Sequence, residues 1–161
     1  MDYSAATSTT LTVKRFLEQY GHSALTMRSS DTIVTAADLF HSTVDGKKYS
    51  MAVVLDGDDS VAGVLSLGDI VYALYQHKEA IFSLTVSDIM TRNIKVARLG
   101  DDILALLKTM ADHDIRHMPV VENGKLAGLV TRKDALEGLY DNATLELKSL
   151  TQFVFRSDAR Y

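Results

Sequence analysis

The chain has 161 residues, 47% hydrophobic, 24% charged and 7% aromatic, a balance that supports a buried core and excludes disordered and fibrous classes. A formal net charge of -4 supplies no basic field for phosphate backbones, so nucleic acid is not an expected partner. The chain has no cysteine, which removes disulfides, thiolate nucleophiles and cysteine-ligated metal centres together.

Residues 1–11 read as a flexible tail. Met1 to Thr10 carry neither the basic head nor the apolar stretch of a signal peptide, and no apolar run approaches the roughly 18 residues of a membrane span. A cytoplasmic protein with no membrane partner is expected. Thr12-Val13 opens the first patterned stretch, and Ser30 to Phe40 places Ile33, Ala36, Ala37 and Phe40 on one helical stripe, with Asp31 as the expected cap. Met51 to Leu55 is a β-branched, buried strand, Asp56 to Ser60 a turn, and Val61 to Leu65 a return strand antiparallel to the first. A helix follows from Ser66 to about Gln76.

The same order then recurs. Thr85-Val86 answers Thr12-Val13, and Ile103, Leu106, Leu107 and Met110 repeat the stripe behind Asp101. Met118 to Val121 is the second strand, with Pro119, the only proline, expected at its start. Asn123-Gly124 favours a tight hairpin into Leu126 to Val130, and a helix begins at Thr131 and runs to about Tyr140. Asn142 is the expected cap of a last helix whose Ala143, Leu147, Leu150 and Val154 share a face, with Phe153 beside it.

Each unit therefore reads β-α-β-β-α, opening near Ala24 to Met27 and Ile94 to Val96. The offset between copies falls from 73 residues at Thr12 to 65 at Gly63, so copy one has longer connections around Glu18 to His22 and Thr43 to Tyr49. The expected class is α/β of the α+β type. Repeat one spans 12–80, repeat two 81–141, and a C-terminal helix with its tail 142–161. Units of this size bury little core alone, so the repeats are expected to pack on each other with pseudo-two-fold symmetry.

The segments Gly63-Val64-Leu65-Ser66-Leu67-Gly68-Asp69 and Gly128-Leu129-Val130-Thr131-Arg132-Lys133-Asp134, closing two such units in register, make the chain resemble a tandem pair of CBS (cystathionine β-synthase) domains, a Bateman module. Copy two is the closer match, from Val86-Ser87-Asp88-Ile89-Met90-Thr91 through Ile115-Arg116-His117-Met118-Pro119 to Asp134. The resemblance implies a regulatory sensor in which an adenine nucleotide (AMP, ADP or ATP) is a regulatory ligand rather than a catalytic cofactor. It implies a homodimer and a regulated protein partner. Carried over residue by residue, it places Asp69 and Asp134 on ribose hydroxyls with Ser66 and Thr131 beside them. The adenine slot falls to Ala24, Thr26, Met51, Ile94, Val96, Met118 and Pro119.

Phosphates need positive charge, and Arg116, His117, Arg132 and Lys133 are the candidates, all in copy two. Their counterparts in copy one are read as Tyr49, Ser50, Leu67 and Gly68, none basic, so the clefts are expected to be unequal. A phosphorylated ligand held at Ser66 and Asp69 with help from copy two is the arrangement envisaged. The Arg116-His117 order departs from the His-Arg order of some nucleotide-sensing members.

Simpler readings stand beside these. Ser66-x-x-Asp69 and Thr131-x-x-Asp134 also fit helix capping boxes, which need no ligand. His113-Asp114-Ile115-Arg116-His117 lacks the glutamate and the unbroken helix of a zinc protease motif. Asp56 to Ser60 lacks the glycine and distal glutamate of a calcium loop. No catalytic residue and no metal site is assigned. The competing reading is a module with empty clefts that serves protein interaction alone.

Overall fold

The computed structural model describes residues 10–158 apart from 22, 43–45 and 47, with side chains described through residue 148. Copy one runs α1 (Val13–Tyr20), β1 (Thr26–Arg28), α2 (Ile33–His41), β2 (Met51–Leu55), β3 (Val61–Ser66) and α3 (Leu67–His77), followed by a 3-10 turn over Lys78–Ser83. Copy two runs α4 (Val86–Ile89), α5 (Ile103–Asp112), β4 (His117–Glu122), β5 (Lys125–Thr131) and α6 (Arg132–Asp158). The result is a mixed α/β fold of two similar halves. In the first, β1 pairs parallel with β2 and β2 antiparallel with β3; in the second, β4 pairs antiparallel with β5.

The second sheet lacks its opening strand, and Pro119 explains why. Met51 lies opposite Ser66 as His117 lies opposite Thr131, which places Pro119 where copy one has Val53. The Val53 N–H donates to the Leu25 carbonyl at 2.9 Å and so anchors β1. Proline has no N–H to give. Residues 94–96 therefore form no strand, and pairing starts only at Ala97, whose N–H donates to the Pro119 carbonyl at 2.9 Å and whose carbonyl accepts from Val121 at 2.8 Å. Pro119 is the third residue of β4 rather than its opening residue.

Two helix starts sit one residue later than the sequence implies. Thr32 and Asp102 cap α2 and α5, accepting from the Thr35 and Ala105 amides at 3.1 and 2.8 Å. Asp31 and Asp101 instead accept from the Arg28 and Arg98 amides, each at 2.8 Å, and close the turn ahead of the helix. At the other end the chain does not break at Asn142. Helix α6 is continuous over 27 residues, and the Asn142 amide donates to Glu146 one turn on at 3.3 Å. The side chains of Leu150, Phe153 and Val154, and residues 1–9, lie outside the described residues.

The extra residues of copy one lengthen α1 to eight residues, against four in α4. Both short helices cross to the opposite half. Val13 and Phe16 are buried with Ile103, Leu106, Met110, Met118 and Val130 in the copy-two core, while Val86 and Met90 are buried with Leu25, Met27, Phe40, Val54 and Leu65 in copy one. Backbone bonds repeat the exchange, Val13 to the Asp101 carbonyl and Val86 to the Asp31 carbonyl, both at 2.8 Å. Tyr20 fastens α1 to α6 through a 3.0 Å bond to Asp141. Between the halves, Met51, Val53 and Leu129 form a shared apolar seam joined by Ala24, Val64 and Leu126. Burial of this kind contributes about 1.5–3 kcal/mol per large side chain, so the halves depend on each other for stability.

Candidate functional site

Each return strand ends in a hydroxyl that caps the following helix. In copy two the Thr131 hydroxyl donates to Asp134 Oδ2 at 2.6 Å and accepts from the Asp134 amide at 3.0 Å. In copy one Ser66 donates to Asp69 Oδ2 through its hydroxyl at 2.6 Å and its amide at 2.7 Å, and accepts from the Asp69 amide at 3.2 Å. The capping reading of both motifs is thus present. A capped carboxylate is also an oriented one, set at the positive end of a helix with its direction fixed.

The two boxes face different surroundings. Thr131 and Asp134 line an open cleft of about 650 Å³ between the halves. Copy two supplies Arg116, His117, Leu129, Arg132, Lys133 and Glu137 to its walls, and copy one supplies Ser23 and residues 48–51. The pairing of His117 with Thr131 and a 2.9 Å bond from the Arg132 amide to the Arg116 carbonyl hold the basic residues beside the capping box. Four cationic side chains, Lys48, Arg116, Arg132 and Lys133, face two carboxylates, Asp134 and Glu137. Arg132 also lies 3.5 Å from Asp114, which steadies its guanidinium at the rim. At His117 the surroundings favour the neutral imidazole. Burial, and next the charge of Arg116, push its pKa below the usual histidine range against the opposing pull of Asp134.

All four phosphate candidates therefore gather at Thr131 and Asp134. Among the described residues they line the Thr131–Asp134 cleft and not the cleft that Asp69 lines, because short strand pairing keeps them on the half that carries them. Asp69 lines a separate cleft of about 210 Å³ with Tyr72, Gln76, His77 and Asp88. The matching of the copies also shifts by one residue in β2. The Leu67 amide bonds the Ser50 carbonyl as the Arg132 amide bonds that of Arg116, so Ser50 and Met51, not Tyr49 and Ser50, answer Arg116 and His117.

Of the adenine-slot candidates, Met51 lines the cleft. Ala24 packs in the seam next to the cleft-lining Ser23. Thr26 is exposed on β1, Ile94 is half-buried, and Pro119 is fully buried in β4. Val96 and Met118 line another cleft of about 380 Å³ with Lys95 and Asp102. Reading the sequence missed Ser23, Lys48, Tyr49, Ser50 and Glu137. The Lys47-Lys48 doublet directly ahead of β2 was the available signal for a copy-one cation. Among the described residues no cluster of His, Asp or Glu is arranged to hold a metal ion, and no helix is long and apolar enough to cross a membrane.

Known proteins share this arrangement. A CBS-domain protein of Agrobacterium tumefaciens superposes with a TM-score of 0.68 at 28% identity, covering 83% of this chain and 96% of that one. A 17.7 kDa protein of Acidianus ambivalens is 30% identical over 95 residues, 58% of this chain, and the match spans 56% of that protein. The Thermus thermophilus magnesium transporter MgtE is 34% identical over 107 residues, which make up 66% of this chain and 22% of the transporter. The family model for the CBS domain matches twice, over residues 15–76 and 86–141. With the two halves, the exchanged helices and the paired capping boxes, these matches make the chain a member of the CBS-domain family, a tandem CBS pair.

Proposed function

We propose that the chain is a regulatory module that takes an adenosine-containing nucleotide, AMP, ADP or ATP, in the Thr131–Asp134 cleft and passes its occupancy to a homodimer or a bound partner. CBS-domain proteins are in general regulatory modules that bind adenosine ligands. One observation carries the reading for this chain: the oriented Asp134 carboxylate and four cationic side chains converge on one cleft that both halves line. A carboxylate accepts paired hydroxyl bonds from a ribose, and Arg and Lys donate to phosphate oxygens. Met51, Leu129 and the Tyr49 ring offer apolar contact to the base. No catalytic role is assigned to any residue.

The homodimer reading is supported by apolar side chains left in solvent on α3 and α6. Val71, Tyr72 and Tyr75 are 65–77% exposed, and Leu136 and Tyr140 are 55% and 73% exposed. Large apolar side chains left exposed on helix faces are candidate interaction surfaces.

The test is calorimetric titration of the protein with adenosine, AMP, ADP and ATP, repeated on Asp134→Ala and Arg116→Ala. Binding that strengthens with phosphate number, falls in Arg116→Ala and disappears in Asp134→Ala is expected. Thermal stabilisation should accompany it, about 2.7 kcal/mol at a hundredfold excess over the dissociation constant. Failure of every compound to bind the native protein would overturn the reading in favour of a protein-interaction module with empty clefts.

A further inference from the structure

The two halves are pseudo-equivalent, but the chain that enters each of them is not. After the four-residue α4, the backbone turns at once onto the free edge of β3. The Val64 amide donates to the Thr91 carbonyl at 3.0 Å and the Thr91 amide to the Val64 carbonyl at 2.9 Å. The approach is so close that a Cβ on Gly63 would overlap the Thr91 carbonyl oxygen. Arg92, the cation of this segment, turns away and donates to the Ser87 carbonyl and hydroxyl at 2.5 and 2.8 Å.

In the other half, the eight residues of α1 carry the chain roughly one turn further before it descends. Leu17, a side chain rather than backbone, covers Gly128. Among the described residues no segment pairs with Leu129, the counterpart of Val64, and Leu129 lines the open cleft. The basic residues follow the same division. Arg116, Arg132 and Lys133 have Ser50, Leu67 and Gly68 as counterparts in copy one.

We infer that the module takes one phosphorylated nucleotide per protomer, at Thr131 and Asp134, and that the Ser66–Asp69 half is a closed structural joint whose ligand position is filled by its own backbone. This rests on the nucleotide reading above for the open half, while the closure of the other half stands independently of it. The difference between the halves originates in the three extra residues between Thr12 and Asp31, compared with Thr85 to Asp101, which lengthen α1.

Two measurements test it. Calorimetry with ATP should give one site per protomer, lost in Asp134→Asn and retained in Asp69→Asn; two sites, or loss in Asp69→Asn, would overturn the inference. An absence of binding to the native protein would instead sink the nucleotide reading. The closure is tested without ligand by amide hydrogen exchange on the nucleotide-free protein. Val64 and Thr91 should exchange slowly and Leu129 rapidly; rapid exchange at Val64 and Thr91 would refute the closed joint whatever ATP does.

Discussion

Gly63 and Gly128 occupy equivalent places in β3 and β5, so alanine at each adds the same methyl group to the same kind of strand. The obstacles differ. At Gly63 the new carbon meets the carbonyl of Thr91, a residue whose carbonyl and amide are each held by one hydrogen bond to Val64. At Gly128 it meets the Leu17 side-chain tip, Cδ1 at 2.8 Å and Cδ2 at 3.0 Å, which can rotate away. Overpacking costs about 1–3 kcal/mol, and each lost backbone bond about 1 kcal/mol. Replacing glycine returns about 0.4–1 kcal/mol through the unfolded chain. Gly63→Ala should therefore destabilise by about 2–3 kcal/mol, and Gly128→Ala by about 1 kcal/mol or less. For a chain of this length the first corresponds to a melting shift of about 5–10 °C. Urea unfolding with matched slopes is the assay, since a changed midpoint at constant slope isolates stability. Gly128→Ala costing as much as Gly63→Ala would refute the reasoning, because it would mean that backbone closure over β3 is no stiffer than side-chain cover over β5.

Three further outcomes are expected. His117 has a folded-state pKa below its ordinary 6.5, so the unfolded chain takes up that proton first; its contribution to stability is whole above about pH 6.5 and is lost as the pH falls through the folded value. His117→Gln should flatten the decline in urea midpoint between about pH 7 and 5, and an unchanged slope would show that another group governs it. Lys48→Ala should weaken ATP binding about tenfold, or about 1.4 kcal/mol, while leaving adenosine binding unchanged; equal losses for both ligands would remove Lys48 from the phosphate. Tyr75→Glu combined with Tyr140→Glu, at exposed positions on α3 and α6, should convert a dimer to a monomer in sedimentation velocity with little change in urea midpoint, and an unaffected dimer would place the interface elsewhere.

The repeat was legible because buried stripes print themselves at fixed spacing. Ile33, Ala36 and Phe40 are buried as their spacing implies, and so are Ile103, Leu106 and Met110, whereas Leu107 is half-buried and Ala37, assigned to the same stripe, is exposed because it sits at the edge of the buried face. The capping boxes were legible too, being local in sequence. Which core each short helix enters was not, since periodicity identifies an apolar face and says nothing about its partner. Pro119 could be read as a strand residue, but its effect falls on residues 94–96, which only the sheet brings beside it. The one-residue slip at Ser50 and Met51 arises because the connections ahead of β2 and β4 differ in length, so only strand register fixes which residues correspond. Asn142 is a strong local cap signal that lost to a helix already propagating from Arg132, where continuing costs less than nucleating afresh. Lys48 stood in a stretch with no counterpart in the other copy, so comparing the copies could not point to it.

The crossing of α1 and α4 sets an order on how the chain becomes a protein during synthesis. The first core includes Val86 and Met90, so it stays open until the ribosome has released the start of the second repeat. Phe16 must wait longer, because its partners Met118, Val130 and Ala135 emerge more than a hundred residues behind it. Until then α1 is an eight-residue segment too short to hold helical form by itself, exposing an aromatic face to whatever chaperone or neighbouring chain is nearby. Severing the chain between the repeats would leave each fragment with the helix that completes the other.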